Sequence, residues 1–457
     1  MRDILAQQRA AFLHDGPPSL DQRRTALKRL RSAVLAWRRE IEAALNADFG
    51  HRSRHETTIM ELVPLIQGID YLRRNLRTFM RPSRRHVALP FRLGSARIEY
   101  QPLGVVGIVA PWNYPFSLAL MPLATAIAAG NRAMIKPSEF TPATSDLLAG
   151  MLAHVFSPDE VAVVTGDASI GASFAALPFD HLLFTGSTSV GRAVMKSAST
   201  NLTPVTLELG GKSPVIVARD SPLPHAAAGI AYGKLANAGQ TCIAPDYVLV
   251  HENDVGAFTA AYGTAVAALY PSGPTSEDYT SIITDRHYAR LIGLLEDARA
   301  KGARVLEMGR NPADGCRRSR TLAPTIVLDP RDDMRIMQEE IFGPLLPVRP
   351  YRDIDEAIAY VNAQPRPLAL YYYGHDRDEE RKVLSRTTSG NVTINGTLMH
   401  YAQNDLPFGG VGPSGMGVYH GIEGFRRLSH AKGIFKQGRL NAATLLRAPF
   451  GALADAI

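Results

Sequence analysis

Between residues 105 and 197, short apolar runs alternate with longer helix-patterned segments, and this alternation constrains the fold more than any other feature of the chain. Val105-Val106-Gly107-Ile108-Val109-Ala110 is a nearly continuous apolar run, as a strand covered on both faces requires. The pattern then predicts a helix over 115–129, a strand over 133–136, a helix over 141–155, a strand over 161–165, a helix over 169–176, a strand over 182–185 and a helix over 187–197. Alternation of this length means a parallel sheet with crossover helices, an α/β architecture. Such sheets bind ligands beyond the carboxyl ends of their strands. A second alternating region begins near Ser213, with strands expected at 213–217, 247–250, 325–328, 368–373 and 391–394. Helices are expected there at 226–235, 258–269 and 287–300, and a domain boundary is placed close to Gly210-Gly211. Residues up to about Met80 read as helical. Leu27, Leu30, Val34, Trp37, Ile41 and Leu45 recur at steps of three and four over 23–49, Gly50 closes that helix, and a second runs over 57–80. Residues 97–100 alternate like an exposed strand.

A chain of 457 residues calls for two or three domains. Lys and Arg number 50 against 43 Asp and Glu, and a net charge of +7 on this length is no nucleic-acid signature. Arg73, Arg74, Arg77, Arg81, Arg84 and Arg85 do cluster; they read as a solvated or oligomer-facing helix, with a polyanion site as the alternative. The two cysteines, Cys242 and Cys316, exclude a disulfide scaffold and point to a reducing compartment. There is no HExxH and no paired CxxC, so no metal site is expected. No apolar h-region follows Met1, and the most apolar stretch, 116–129, is too short to span a bilayer. The expectation is a soluble cytoplasmic protein without nucleic-acid partner or stable membrane insertion.

Two familiar phosphate motifs are missing. No GxGxxG follows a strand, and Gly210-Gly211-Lys212-Ser213 ends like a P-loop whose first glycine position holds Thr206. Phe184-Thr185-Gly186-Ser187-Thr188-Ser189-Val190-Gly191 does lead from an apolar strand into a helix, where unpaired N–H groups can meet an anion or Ser187 can simply cap. Ile135-Lys136-Pro137-Ser138-Glu139 ends an earlier strand. Lys136 and Glu139 can grip a ribose diol, and the carboxylate would repel a 2′-phosphate, favouring NAD over NADP; a solvated strand-end pair is the alternative. Cys242 lies in the loop-like run Asn237-Ala238-Gly239-Gln240-Thr241-Cys242-Ile243, where a thiol is either a buried small hydrophobe or a nucleophile in need of a base or a positive field. Glu208, between Leu207 and Leu209 at a strand end, is a base with a pKa raised by burial or a carboxylate on a polar face. Asn113, in Pro111-Trp112-Asn113-Tyr114-Pro115, offers a neutral donor to an oxyanion or serves the turn before proline.

Taken together, PWNYP at 111–115, IKPSE at 135–139, FTGSTSVG at 184–191, LELGGK at 207–212, GQTC at 239–242, EEIFGP at 339–344 and PFGGVG at 407–412 resemble the aldehyde dehydrogenase superfamily, in the family's order. The short N-terminus and the run over 406–417 are similar to its class 3 branch. Asp48-Phe49-Gly50-His51-Arg52-Ser53-Arg54-His55-Glu56-Thr57 and the ending over 446–451 are most similar to bacterial coniferyl aldehyde dehydrogenases. The resemblance implies a doubly wound NAD-binding domain (1–83 and 103–210), an α/β catalytic domain (211–415) and a small β oligomerisation extension (84–102 and 428–440), with a homodimer as the assembly. It implies Cys242 as nucleophile, Glu208 as general base, and Asn113 with the Cys242 N–H as the oxyanion site. Trp112, Lys136, Glu139, Gly186, Ser187, Glu340 and Phe342 would bind NAD, with NADP left open, and Tyr114, Leu118, Met121, Ile243 and Phe408 would line the substrate funnel. The implied reaction takes an aldehyde through a thiohemiacetal and a thioester on Cys242 to the acid, with an aromatic aldehyde such as coniferaldehyde as the expected substrate. A medium- or long-chain aliphatic aldehyde is the alternative; behind it stand a CoA-acylating relative, an inactive structural relative and a cysteine esterase.

Overall fold

A computed structural model describes residues 1–308, 318–439 and 448–450. Cys316, residue 440 of the expected extension and part of the 446–451 ending lie outside the described residues. Two sheets and a small third one organise the chain. The first has the order Gly415–Met416, Val205–Leu209, His181–Gly186, Val105–Val109, Arg132–Lys136, Val161–Val163, and every pairing is parallel except that of Gly415–Met416. Winding runs outward from Val105–Val109 in one direction, then returns to its other side at His181–Gly186. The strand order therefore reverses between these two strands, and a crevice opens beyond their carboxyl ends.

The chain leaves this sheet at Leu209 and enters the second at Pro214. The second sheet runs Arg304–Glu307, Thr325–Leu328, Leu345–Tyr351, Tyr247–His251, Pro214–Val217, Ala369–Tyr373, Asn391–Ile394, with only the first pairing antiparallel. A third sheet joins Ser83–Arg85, Ser95–Pro102 and Ser429–Lys436.

The expected single helix over 23–49 is two helices, Leu20–Ala36 and Arg38–Phe49. Trp37 between them has φ −96° and ψ 15°, outside the helical well. The apolar stripe nevertheless continues across the break: Leu27, Leu30, Val34, Ile41, Leu45 and Phe49 are all fully buried. Each such side chain contributes about 1.5–3 kcal/mol of burial. Gly50 closes the second helix in the left-handed conformation, φ 74°. The expected helix over 57–80 contains a π-helical segment, Thr58–Leu62, ahead of Val63–Phe79. Of the arginine cluster, Arg73 pairs with Asp70 at 3.3 Å while Arg74, Arg77, Arg81, Arg84 and Arg85 are exposed. The interior strand Leu345–Tyr351 has no forecast in the sequence pattern, because Pro347 and Pro350 break its apolar run and cannot donate to the ladder. Among the described residues, no helix is long and apolar enough to cross a membrane.

Candidate active site

At the strand-order reversal lies a cavity of about 580 Å³. Its wall contains Asn113, Glu208 and Cys242 together with Trp112, Lys136, Glu139, Gly186, Ser187, Glu340 and Phe342. Residues as far apart in sequence as Trp112 and Phe342 thus meet in one place.

The thiol is presented by a strained turn. Helix Leu223–Leu235 ends, and Asn237, Ala238 and Gly239 follow with φ of 52°, 52° and 77°. Asn and Gly tolerate this left-handed region, whereas alanine loses roughly 1–2 kcal/mol there. Side chains hold the turn against that cost. Asn237 Nδ2 donates to the Asn113 carbonyl (2.9 Å) and to Gln240 O (3.2 Å). Gln240 Nε2 donates to Asn237 O (2.9 Å) and Ser281 O (3.1 Å), and its Oε1 accepts from the Ile283 N–H (2.9 Å). Tyr114 and Thr241 join hydroxyls at 2.7 Å, and Tyr371 donates to Ile243 O at 2.5 Å.

Cys242 is half-buried, and its Sγ points at Glu208 Oε1, 3.9 Å away. Burial, and after it the Glu208 and Glu340 carboxylates, push the thiol well above its ordinary range, while the N–H groups of Cys242 and Ile243 oppose that shift. Glu208 is 2% exposed, and burial raises it to about 7 against the lowering effect of the hydroxyls of Tyr419 and Thr185 and of the thiol. Its Oε2 accepts from Thr185 Oγ1 at 3.3 Å. The alternation Leu207-Glu208-Leu209 does not set out a polar face, for the whole strand Val205–Leu209 is buried.

On the other side of the cavity, Lys136 Nζ donates to Glu139 Oε2 at 3.1 Å and to Pro137 O at 2.8 Å. Ser187 caps helix Thr188–Ser199 by accepting from the Val190 N–H at 3.4 Å. Glu340 is raised to about 8, by burial first and by Asp246 second, against the Gly211 N–H and the cations of Lys212 and Arg290. Its Oε1 is buried without a hydrogen-bond partner among the described residues, and a side chain at Gly210 would collide with its carboxylate. A buried acceptor in the wall of this cavity fits a ligand hydroxyl such as a ribose diol. Lys212 has no free hand for phosphate: it pairs with Asp246 and donates to Ile336 O (2.8 Å) and Glu339 O (2.9 Å), pinning the segment that carries Glu340. Phe342 sits at φ 50° and meets the Trp112 ring edge-on at 5.5 Å.

The remaining five expected residues are all buried, and none belongs to the wall of this cavity. Phe408 packs edge-on against Tyr401 at 5.0 Å, and Met121 packs where a Cβ on Gly68 would fall. Sequence reasoning missed Arg286, His287 and Arg290, which also wall the cavity. They ride on helix Asp285–Ala300, where two arginines four apart share one face.

The sequence model described as the Aldehyde dehydrogenase family matches residues 3–434. The chain belongs to the aldehyde dehydrogenase family. This aldehyde dehydrogenase is an oxidoreductase with the α/β fold that its sequence leads one to expect. It is 52% identical over 448 residues to a probable coniferyl aldehyde dehydrogenase of Pseudomonas aeruginosa, covering 98% of this chain and 93% of the relative. It is 48% identical over 451 residues to a coniferyl aldehyde dehydrogenase of Pseudomonas sp., covering 98% and 93%. Among solved structures, a substrate-bound state of Staphylococcus aureus AldH superposes with a TM-score of 0.91 at 37% identity, covering 96% of this chain and 94% of that one. A Mycobacterium tuberculosis aldehyde dehydrogenase complexed with NAD+ gives 0.85 at 28% identity, covering 94% and 88%.

Proposed function

We propose that this aldehyde dehydrogenase oxidises an aromatic aldehyde of the coniferaldehyde type to its acid with NAD. The observation that carries this reading is the thiol of Cys242 facing the Glu208 carboxylate in the wall of the cavity at the strand-order reversal. Cys242 is the nucleophile. Its proton has Glu208 Oε1 within reach, and the freed sulfur adds to the aldehyde carbonyl carbon. The Asn113 side-chain amide and the Cys242 N–H hold the resulting oxyanion; one such donor is typically worth about 2.7–4 kcal/mol of barrier. Bound NAD supplies the hydride acceptor. As the C–H bond breaks, the oxyanion's electron pair re-forms the carbonyl, and a thioester remains on Cys242. Glu208 passes the thiol's proton to solvent and then takes a proton from water as the water oxygen attacks the thioester; the C–S bond breaks, the sulfur leaves as thiolate, and the acid departs. Lys136 and Glu139 grip the adenosine ribose, Gly186 and Ser187 receive the diphosphate at a helix start, Glu340 holds the nicotinamide ribose, and Trp112 and Phe342 flank that end.

The aromatic assignment follows the coniferyl aldehyde dehydrogenases named above and the apolar set Tyr114, Leu118, Met121, Ile243 and Phe408, which we assign to the substrate funnel. We divide the chain into an NAD-binding domain (1–83 and 103–210), a catalytic domain (211–415) and an oligomerisation extension (84–102 and 428–440). The extension exposes Leu89, Leu93 and Phe435, apolar surface that a second copy would cover in a homodimer. A working thiol suits the reducing cytoplasm.

A panel of coniferaldehyde, benzaldehyde and decanal, each with NAD and with NADP, tests the assignment. Coniferaldehyde should lead decanal in kcat/KM by about tenfold or more, the discrimination a few buried contacts supply. A decanal preference would move the substrate to the aliphatic class. Glu139→Gln should improve NADP relative to NAD by roughly tenfold, equivalent to about 1.4 kcal/mol of relieved repulsion. An unchanged ratio would remove Glu139 from the ribose site.

A further inference from the structure

The segment 48–57 stands out in the sequence, yet neither the thiol chemistry nor the dinucleotide site uses it. Arg52 is 2% exposed and Glu61 is fully buried, an unusual place for two charges. Glu61 lies in the π-helical segment Thr58–Leu62, a form often found at functional sites. Arg52 Nη1 lies 3.0 Å from Glu61 Oε1, and the same nitrogen donates to the Asn113 carbonyl at 3.2 Å. That carbonyl also accepts from Asn237 of the cysteine turn. The guanidinium carbon sits 4.8 Å from the Phe49 ring centroid and 5.0 Å from that of Tyr114, whose hydroxyl meets Thr241 next to Cys242. Glu61 Oε2 accepts from the N–H groups of Phe116 (3.0 Å) and Ser117 (2.9 Å), where the Asn113 loop becomes a helix. Glu56 accepts from the Asn237 N–H and from the Thr280 hydroxyl.

We propose that Arg52, paired with Glu61, is a positioning residue that holds the Asn113 loop in register with the Cys242 turn. This rests on the aldehyde dehydrogenase reading given above and adds to it a device for alignment. A buried ion pair is a poor way to gain stability, because apolar residues of similar volume usually serve as well or better. The pair touches the Asn113 loop directly and reaches the Cys242 turn through the shared Asn113 carbonyl and the Tyr114 hydroxyl, so its consequence is geometric. Arg52 Nε and Nη2 have no hydrogen-bond acceptor among the described residues, and the Nη1–Oε1 contact is a charge contact without hydrogen-bond alignment. Arg52 is thus tuned to the Asn113 carbonyl and to its ring neighbours more than to saturation of its own donors.

The test compares wild type with the double variant Arg52→Met/Glu61→Leu and the single variant Arg52→Lys. Thermal midpoint, NAD affinity by fluorescence, and the single-turnover NADH burst with benzaldehyde are measured. The double variant leaves the Phe116 and Ser117 N–H groups unpaired and should melt below wild type; where folded it should bind NAD within about twofold, yet its burst should slow by roughly 10- to 100-fold, the cost of misplacing reacting groups by about an ångström. A merely structural pair would leave the burst intact wherever the protein folds. A folded double variant whose burst stays within about twofold of wild type therefore overturns the proposal. Should the double variant not fold, Arg52→Lys decides: a burst several-fold slower with unchanged NAD affinity supports positioning, and a wild-type burst overturns it. Absence of aldehyde-dependent NADH from wild type would instead overturn the functional reading itself.

Discussion

Cys242→Ala is expected to abolish NADH formation with every aldehyde, a loss on the order of 10⁴-fold or more, while NAD still binds. The sulfur is the group placed to form a bond with the carbonyl carbon, so nothing short of it restores the covalent route. The ten expected catalytic and cofactor residues share one cavity wall, and Cys242 stands beside Glu208 in it. Alanine removes one side chain there without touching Lys136, Glu139 or Glu340. NAD affinity, read by fluorescence, should therefore stay close to wild type. Steady turnover in Cys242→Ala would mean that hydride leaves a non-covalent aldehyde or hydrate, and the thioester scheme would fail.

Glu208→Gln is expected to slow thioester hydrolysis by roughly 10²- to 10⁴-fold, the usual worth of a general base, and to slow the NADH burst far less. The asymmetry follows from the electrostatics. Burial is the largest cause of the raised Cys242 thiol, and the Glu208 carboxylate is the next. Removing that charge makes the thiol easier to ionise, which offsets the loss of a nearby proton acceptor in the first step. No such compensation exists for water attacking the thioester. In wild type the base acts only when ionised. With Glu208 raised to about 7, deacylation should increase as pH rises through that value and fall off below it. The glutamine variant should lose this limb of the profile. An equal slowing of both steps in single-turnover experiments, or an unchanged acid limb, would reassign the residue.

Much of the fold is legible in the sequence because strands buried on both faces appear as bare apolar runs. Val105–Val109 and Thr325–Leu328 are of this kind. Where two forces compete, the reading fails. Leu345–Tyr351 hides behind two prolines, which break its apolar run even though the strand lies between two parallel neighbours. Trp37 ends a helix whose apolar stripe runs on, since periodicity records the buried face and not the backbone angles. The motifs that converge on the cavity were visible as short runs next to predicted strand ends. Arg286 and Arg290 were not, because an exposed-looking helix face becomes a cavity wall only after tertiary packing. The Arg52–Glu61 pair escaped for a related reason: a charged residue in a helical segment reads as surface, and only the folded chain shows that both ends are sealed.

The central claim is an acyl–sulfur bond at Cys242 between hydride loss and hydrolysis. Intact-protein mass spectrometry of Glu208→Gln, quenched after mixing with benzaldehyde and NAD, tests it most directly. The protein should gain the mass of the aldehyde less two hydrogens, in step with the NADH burst, and fragmentation should place the adduct on Cys242. NADH released with no adduct, or with an adduct on another residue, would contradict the account.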